Sequence, residues 1–331
     1  MNDKEQAGME CIRKKDTIME EANKKLETKR ILIYIGITFL LTYGYSFGVI
    51  YPLNDGANIR SDMAALVQFA VALVMFFPAI GVLLTRLITK EGFKNAWIHP
   101  HFKGNIKTYL LAYFGPGILT LLGVVVYFLI FSSQFDSECG YMMKIIEAQG
   151  ATKEDIPMPL SLLMIVQTIQ AFFLGPILNF FTCFGEEWGW RGYLLPKMAK
   201  KLPAIPMLFV NGIIWGLWHA PLTAIGHNYG VGYPGFPFTG IAAMCGFCIV
   251  MGIFMSYVAM KTKSCIPAVL AHGGLNSIAA IGTYFTTDGG NAFIGPAPTG
   301  IVGAIPFIIV AVIMLVFYFR NKVKEEMIST D

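Results

Sequence analysis

Charge is scarce in this sequence. Asp, Glu, Lys and Arg make up only 14% of its 331 residues, against 55% hydrophobic, whereas a soluble domain carries about a quarter charged residues. That deficit, with a mean hydropathy of +0.58, excludes an ordinary water-soluble domain. Cysteine is also sparse: of six, only Cys139 falls in an outer loop and Cys11 in the N-terminal arm, so no disulfide framework is expected. No internal repeat and no low-complexity segment is visible, which leaves a repeat-built transporter without support. The helical zinc signature His-Glu-x-x-His is missing too. Residues 1–30 precede an apolar run too long for a cleavable signal and without a small-residue cleavage pattern, so the first helix reads as a retained anchor.

What the sequence has instead is apolar length. Runs able to span a bilayer at about 20 residues each lie near 31–53, 63–85, 108–132, 159–199, 204–224, 237–260, 264–285 and 300–319. The expected fold is an all-α polytopic transmembrane bundle of about eight spans. Basic residues mark one side: Lys4, Arg13, Lys14, Lys15, Lys24, Lys25, Lys29 and Arg30 in the arm, Arg86, Lys90, Lys94, Lys103 and Lys107 in the second loop. Lys197, Lys200, Lys201, Lys261, Lys263, Arg320, Lys322 and Lys324 fall with them. The alternate loops hold Asp55, Asp136, Glu138, Glu147, Glu154, Asp155 and Asp288, with Arg60, Lys144 and Lys153 as their only cations. By the positive-inside rule both termini are expected to be cytoplasmic, and the net charge of +4 reflects topology, with no nucleic-acid partner.

Four regions follow: an arm at 1–30; helices 1–3 with an outer loop at 133–158 within 31–158; a polar-bearing core of helices 4–7 at 159–285; and a loop, last span and tail at 286–331. The fourth run is too long. As one straight helix, 159–199 reaches about 60 Å, twice the hydrocarbon thickness, so a break is expected at Gly175-Pro176, with an oblique or interfacial piece before it.

Polar residues inside these runs share a depth. Counting from Lys197 puts Glu186 and Glu187 about 15 Å above the basic boundary, His219 lies at roughly 20 Å, and His272 lies at roughly 14 Å with Asn276 one turn beyond. A charge at such a depth costs at least about 2.5–3.5 kcal/mol. A single such group is commonly a satisfied interhelical contact; with Arg191 beside the two carboxylates there are six at one level, which points to a functional site. Glu187 and Arg191 stand i,i+4 and can pair, each offsetting the other's desolvation, whereas Glu186 is rotated about 100° toward Trp190 and is left free. His272 and Asn276 project together, and Trp215 shares a face with His219. A carboxylate and an imidazole converging on a water make a general base, and a His/Asn donor pair suits an oxyanion.

These residues resemble the CPBP family of CAAX proteases and bacteriocin-processing proteins, also called Abi, whose type II CAAX prenyl proteases form one branch. The resemblance rests on Glu-Glu-x-x-x-Arg at Glu186, Glu187 and Arg191, aromatic-x-x-x-His at Trp215 and His219, and His-x-x-x-Asn at His272 and Asn276, over about residues 160–280. Trp215 departs from the phenylalanine common there. The resemblance implies an intramembrane endopeptidase in which Glu186 activates water with the help of His219, His272 and Asn276 stabilise the oxyanion, and Glu187, Arg191 and Trp215 support the site. It implies no cofactor, with zinc on a Glu/His/His set as the alternative. Two other readings compete: a non-proteolytic bacteriocin-immunity or scaffold protein that keeps the polar core, and an ion-coupled transporter. The expected partners are the lipid bilayer, here a bacterial cell membrane, and a membrane-associated substrate, which a prenylated protein or a leader peptide would satisfy.

Other residues have simpler explanations. His99 and His101 flank a proline in a basic-side loop, and His227 belongs to an outer loop rich in Gly, Pro and aromatics. Cys183, one turn before Glu186, is a poor nucleophile in an apolar helix. Cys245 and Cys248 have redox-motif spacing, but inside an apolar helix they read as packing.

Overall fold

The computed structural model describes residues 3–54 and 63–319, with backbone alone for 3–20, 22 and 319. Asp55, Arg60, Arg320, Lys322 and Lys324, and the side chains of Lys4, Cys11, Arg13, Lys14 and Lys15, lie outside the described residues. The described chain is helical: α1 Asp3–Tyr45, α2 Ala64–Val74, α3 Phe77–Ile88, α4 Ile106–Ile130, α5 Gly140–Ala148, α6 Leu160–Leu178, α7 Phe180–Glu187, α8 Ala204–Trp218, α9 Phe238–Thr262, α10 Ile266–Ile278 and α11 Ile305–Met314. Five stretches are long and apolar enough to cross a membrane: Asn23–Leu53, Ala64–Ile88, Ile106–Ile130, Leu160–Leu178 and Phe238–Thr262. Ala204–Trp218 and Ile305–Tyr318 are shorter apolar helices.

The surface suits lipid. Leu129, Leu178, Phe181, Phe238 and Leu40 are each more than 70% exposed, an apolar display that a protein in water rarely tolerates. Inside, the bundle is held by small residues and polar contacts, as expected where lipid is as apolar as leucine. Gly212 and Gly216 let α8 lie directly on α9, since a Cβ at Gly216 would come within 2.5 Å of Cys245 Cα and one at Gly212 within 2.6 Å of Ile249 Cα. Gly185 and Gly189 do the same for α7 and its continuation against the α2–α3 junction, where a Cβ at Gly185 would meet Met75 O at 2.8 Å. Both pairs flank residues of the polar slab. α1 is tied to α8 by Trp218 Nε1 donating to Thr42 Oγ1 (2.6 Å) and Tyr43 OH donating to the Leu217 carbonyl (2.7 Å).

The break in the fourth apolar run corrects the sequence expectation. α6 passes through Pro176 and ends at Leu178, and the helical pattern is interrupted at Asn179 (φ −88°, ψ 5°). Proline removes one backbone donor, but neighbours brace this turn: Tyr113 OH donates to the Phe173 carbonyl (2.5 Å) and Asn179 Nδ2 to the Gly175 carbonyl (3.2 Å). With 19 residues, α6 is long and apolar enough to cross a membrane. The outer segment 131–159 is also built. Asp136 N donates to the Phe285 carbonyl (2.8 Å) and Thr287 N to the Gln134 carbonyl (3.1 Å), fastening it to the chain after α10. Cys139, expected to face outward, is fully buried there in a small second core with Leu160 and Met164.

Candidate active site

Three elements bring the polar residues together. α7 supplies Glu186 and Glu187, and the helix then widens into a π-helix over Trp188–Leu194 that carries Arg191. α8 supplies Trp215 and ends at His219, and α10 supplies His272 and Asn276. π segments occur frequently at functional sites. Here the wider turn still lets Arg191 reach back to Glu187, with Nη1 3.0 Å from Oε1.

Glu187 is the hub. Its Oε1 accepts from Arg191 and also faces His272 Nδ1 at 2.9 Å. Glu187 and Arg191 are entirely buried and His272 is 5% exposed, so this is an ion-pair network withdrawn from solvent. The expected Glu187–Arg191 pair is present, and it has a third member that spacing did not supply: His272, held at one nitrogen so that Nε2 is the one left for chemistry. The Arg191 guanidinium also lies 4.1 Å from the centre of the Trp215 ring, a cation–π contact that shares its charge with the indole.

Glu186 is 1% exposed and not bare. Its Oε1 accepts a short hydrogen bond from Trp215 Nε1 (2.5 Å), which gives the indole at this position a polar role that phenylalanine lacks. Oε2 makes no hydrogen bond with described residues. The imidazole that converges on the two carboxylates is His272: one donor atom from each of Glu186, Glu187 and His272 lies within 4.8 Å of the others. His219 is set differently. Its Nδ1 faces the Trp215 carbonyl at 3.0 Å and Cys248 Sγ at 3.8 Å, and its ring meets Trp215 and Trp218 edge-on. Asn276, one turn past His272, is exposed, with Nδ2 3.9 Å from Cys183 Sγ.

Of two further residues here, one was not singled out from the sequence and the other was read there as packing alone. Asn179 Nδ2 donates to Ser277 Oγ (2.7 Å), joining the turn between α6 and α7 to α10 one residue beyond Asn276. Beside it a cavity of about 490 Å³ opens between α6 and α10, bordered by Gln167, Gly175, Leu178, Ser277 and Tyr284. The available signal was an asparagine alone in Ile177-Leu178-Asn179-Phe180-Phe181. The other residue is Cys248, which reads as packing by spacing yet touches His219.

Glu186, Glu187 and His272 are the one group among the described residues whose donor atoms could meet on a metal ion. The fit is poor on donor chemistry. Glu187 Oε1 already serves Arg191 and His272 Nδ1, which leaves only the buried Oε2 as a free donor, and a fixed guanidinium beside the same carboxylate opposes a divalent cation. The set also differs from the Glu/His/His ligands that the sequence offered for zinc, because His219 is not in it.

Fold and site together define a multi-pass helical membrane protein with a buried carboxylate–imidazole centre. Residues 168–278, which include every member of that centre and make up about a third of the chain, are similar to the family model described as type II CAAX prenyl endopeptidase Rce1-like. Over 94 residues it is 31% identical to CAAX prenyl protease 2 of Methanococcus maripaludis, an overlap of 28% of this chain and 34% of that protein. The chain thus matches about a third of the length of the curated relative.

Proposed function

We propose that this protein is an intramembrane endopeptidase that hydrolyses a peptide bond of a membrane-associated substrate. The observation that carries the reading is the division of labour between adjacent carboxylates: Glu187 Oε1 is shared by Arg191 and His272 while its Oε2 is buried without a partner, whereas Glu186 is held by the neutral indole of Trp215 and makes no ion pair with described residues. In this mechanism Glu186 takes a proton from water, with His219 helping to position that water, and the hydroxide attacks the scissile carbonyl. His272, oriented through Nδ1 by Glu187, donates from Nε2 to the developing oxyanion together with Asn276. Glu186 then returns the proton to the leaving amine. Trp215 fixes the Glu186 carboxylate, and Arg191 pairs with the Glu187 carboxylate that holds His272. The name of the archaeal relative makes prenylated C-terminal peptides the first substrates to try; a leader peptide is the second choice.

The test is cleavage of a prenylated reporter peptide by the purified full chain in proteoliposomes, comparing wild type with Glu186→Gln. Glutamine keeps the acceptor for Trp215 Nε1 and removes the base, so the rate is expected to fall by roughly 10²–10⁴ with the unfolding temperature unchanged. Undiminished cleavage by Glu186→Gln would sink the mechanism. Loss of activity with a chelator, restored by zinc, would replace the metal-free reading with a metalloprotease.

A further inference from the structure

We propose that a second, charged cavity at the basic boundary of the membrane domain binds a phosphate-bearing anion. The cavity measures about 500 Å³ and lies between the start of the first span, the loop after α3, the end of the π-helix and the end of α9. Its inner layer is Glu27, Arg30, Arg86, Glu91 and Lys197. Lys197 Nζ contacts Glu27 Oε2 (2.8 Å) and Glu91 Oε1 (2.5 Å), and Arg30 contacts Glu27 Oε1 (2.8 Å) and Glu91 Oε2 (3.5 Å). Arg86 stands 3.9 Å from Glu91 Oε1 and spends one nitrogen on the Gly92 carbonyl. Three cations therefore share two carboxylates, in a layer where Arg86 is only 3% and Lys197 only 5% exposed.

That layer is left with an excess positive charge and an unused donor. Arg86 Nε is buried without a hydrogen-bond partner, an arrangement that costs free energy unless a ligand completes it. Around the mouth stand Lys94, Lys200 and Lys263, all exposed and none in an ion pair with described residues. Six cations around one cavity, against two carboxylates, call for an anion. The combination of guanidinium forks and ammonium points suits phosphate oxygens, and a boundary lined with lysine and arginine is the level at which anionic headgroups lie. The site is separate from the carboxylate–imidazole centre and does not depend on proteolysis. Gly192 and Tyr193 connect the two, as they line the cavity immediately after Arg191 on the same π-helix.

The experiment uses the full chain in a neutral detergent, titrated with phosphatidylglycerol, phosphatidylcholine or inorganic phosphate and followed by native mass spectrometry and thermal unfolding. Binding of phosphatidylglycerol with a raised unfolding temperature is expected, and phosphatidylcholine should compete poorly. Lys94→Gln/Lys200→Gln changes exposed mouth residues only and should weaken binding roughly thirtyfold, from about fivefold for each lysine near a charged surface. Lys103→Gln/Lys107→Gln, which removes the same charge from exposed positions outside the cavity, should leave affinity within about twofold on the same reasoning. Stabilisation by inorganic phosphate, lost in the first variant only, supports the cavity with a soluble ligand as its source. No stabilisation by any of these anions, or equal weakening by both variants, overturns the proposal.

Discussion

The strongest quantitative consequence of the site concerns Glu187, because its proposed role predicts a stability effect where that of Glu186 predicts none. Glu187→Gln keeps the shape and an oxygen acceptor for Arg191 Nη1 and His272 Nδ1, now at 3.0 and 2.9 Å, so what disappears is charge. Arg191 is then a fully buried cation whose nearest remaining compensation is Glu186. Removing one partner of a buried pair costs about 3–5 kcal/mol, and the neighbouring carboxylate places this case near the lower end. For a chain of 331 residues, roughly 2 °C per kcal/mol applies, so the unfolding temperature should fall by about 6 °C. Glu186→Gln, which retains its bond from Trp215, should stay within about 2 °C by the same conversion.

The assay is thermal unfolding of the detergent-solubilised protein, with a cycle completed by Arg191→Met and Glu187→Leu/Arg191→Met. Because desolvation of a buried pair can exceed its mutual attraction, the double apolar replacement should recover most of the loss or exceed wild type. Cleavage should still fail in that double variant, since His272 has lost the carboxylate that orients it. Wild-type stability in Glu187→Gln, or a double variant whose loss is the sum of the singles, would refute the hub. The first result would mean that the charges are already satisfied elsewhere, the second that the pair is not coupled.

Three further outcomes are expected. Asn276→Ala should lower kcat by roughly 10²–10³, the cost of one oxyanion donor, with little change in stability because the side chain is exposed. Gly216→Val should destabilise the protein by about 1–3 kcal/mol through overpacking, since even a Cβ would come within 2.5 Å of Cys245 Cα; thermal unfolding reads this directly. In the outer segment, burial pushes the Cys139 thiol up to about 11, so the neutral, unreactive form prevails at neutral pH. Its alkylation, followed by peptide mass spectrometry, should be negligible near pH 7 and rise about tenfold per pH unit toward that value.

How much of this was legible in the sequence depends on what kind of fact each piece is. Depth is a linear quantity, and at 1.5 Å per residue the sequence alone places Glu186, Glu187, His219 and His272 in one slab. Spacing within one helix is equally direct, and the Glu187–Arg191 pair is where i,i+4 puts it. Rotation between helices is not written in spacing. The choice of His272 over His219 as the imidazole facing the carboxylates follows from how close α8 and α9 lie and from the π-helix over Trp188–Leu194. The first is set by Gly212 and Gly216, and the second leaves no compositional trace. The break at Asn179 shows the same limit. Gly175-Pro176 is the local weak point, yet the helical pattern is interrupted three residues later, where Asn179 finds Ser277 on another element. A proline says that a backbone bond is missing; the partner helix decides where the interruption falls. The same argument explains Trp215. As an aromatic in a motif it reads as packing, and only the presence of a carboxylate 2.5 Å from its Nε1 turns the departure from phenylalanine into a second constraint on Glu186, one that Trp215→Phe would remove while also weakening the cation–π contact to Arg191 and changing the ring that meets His272.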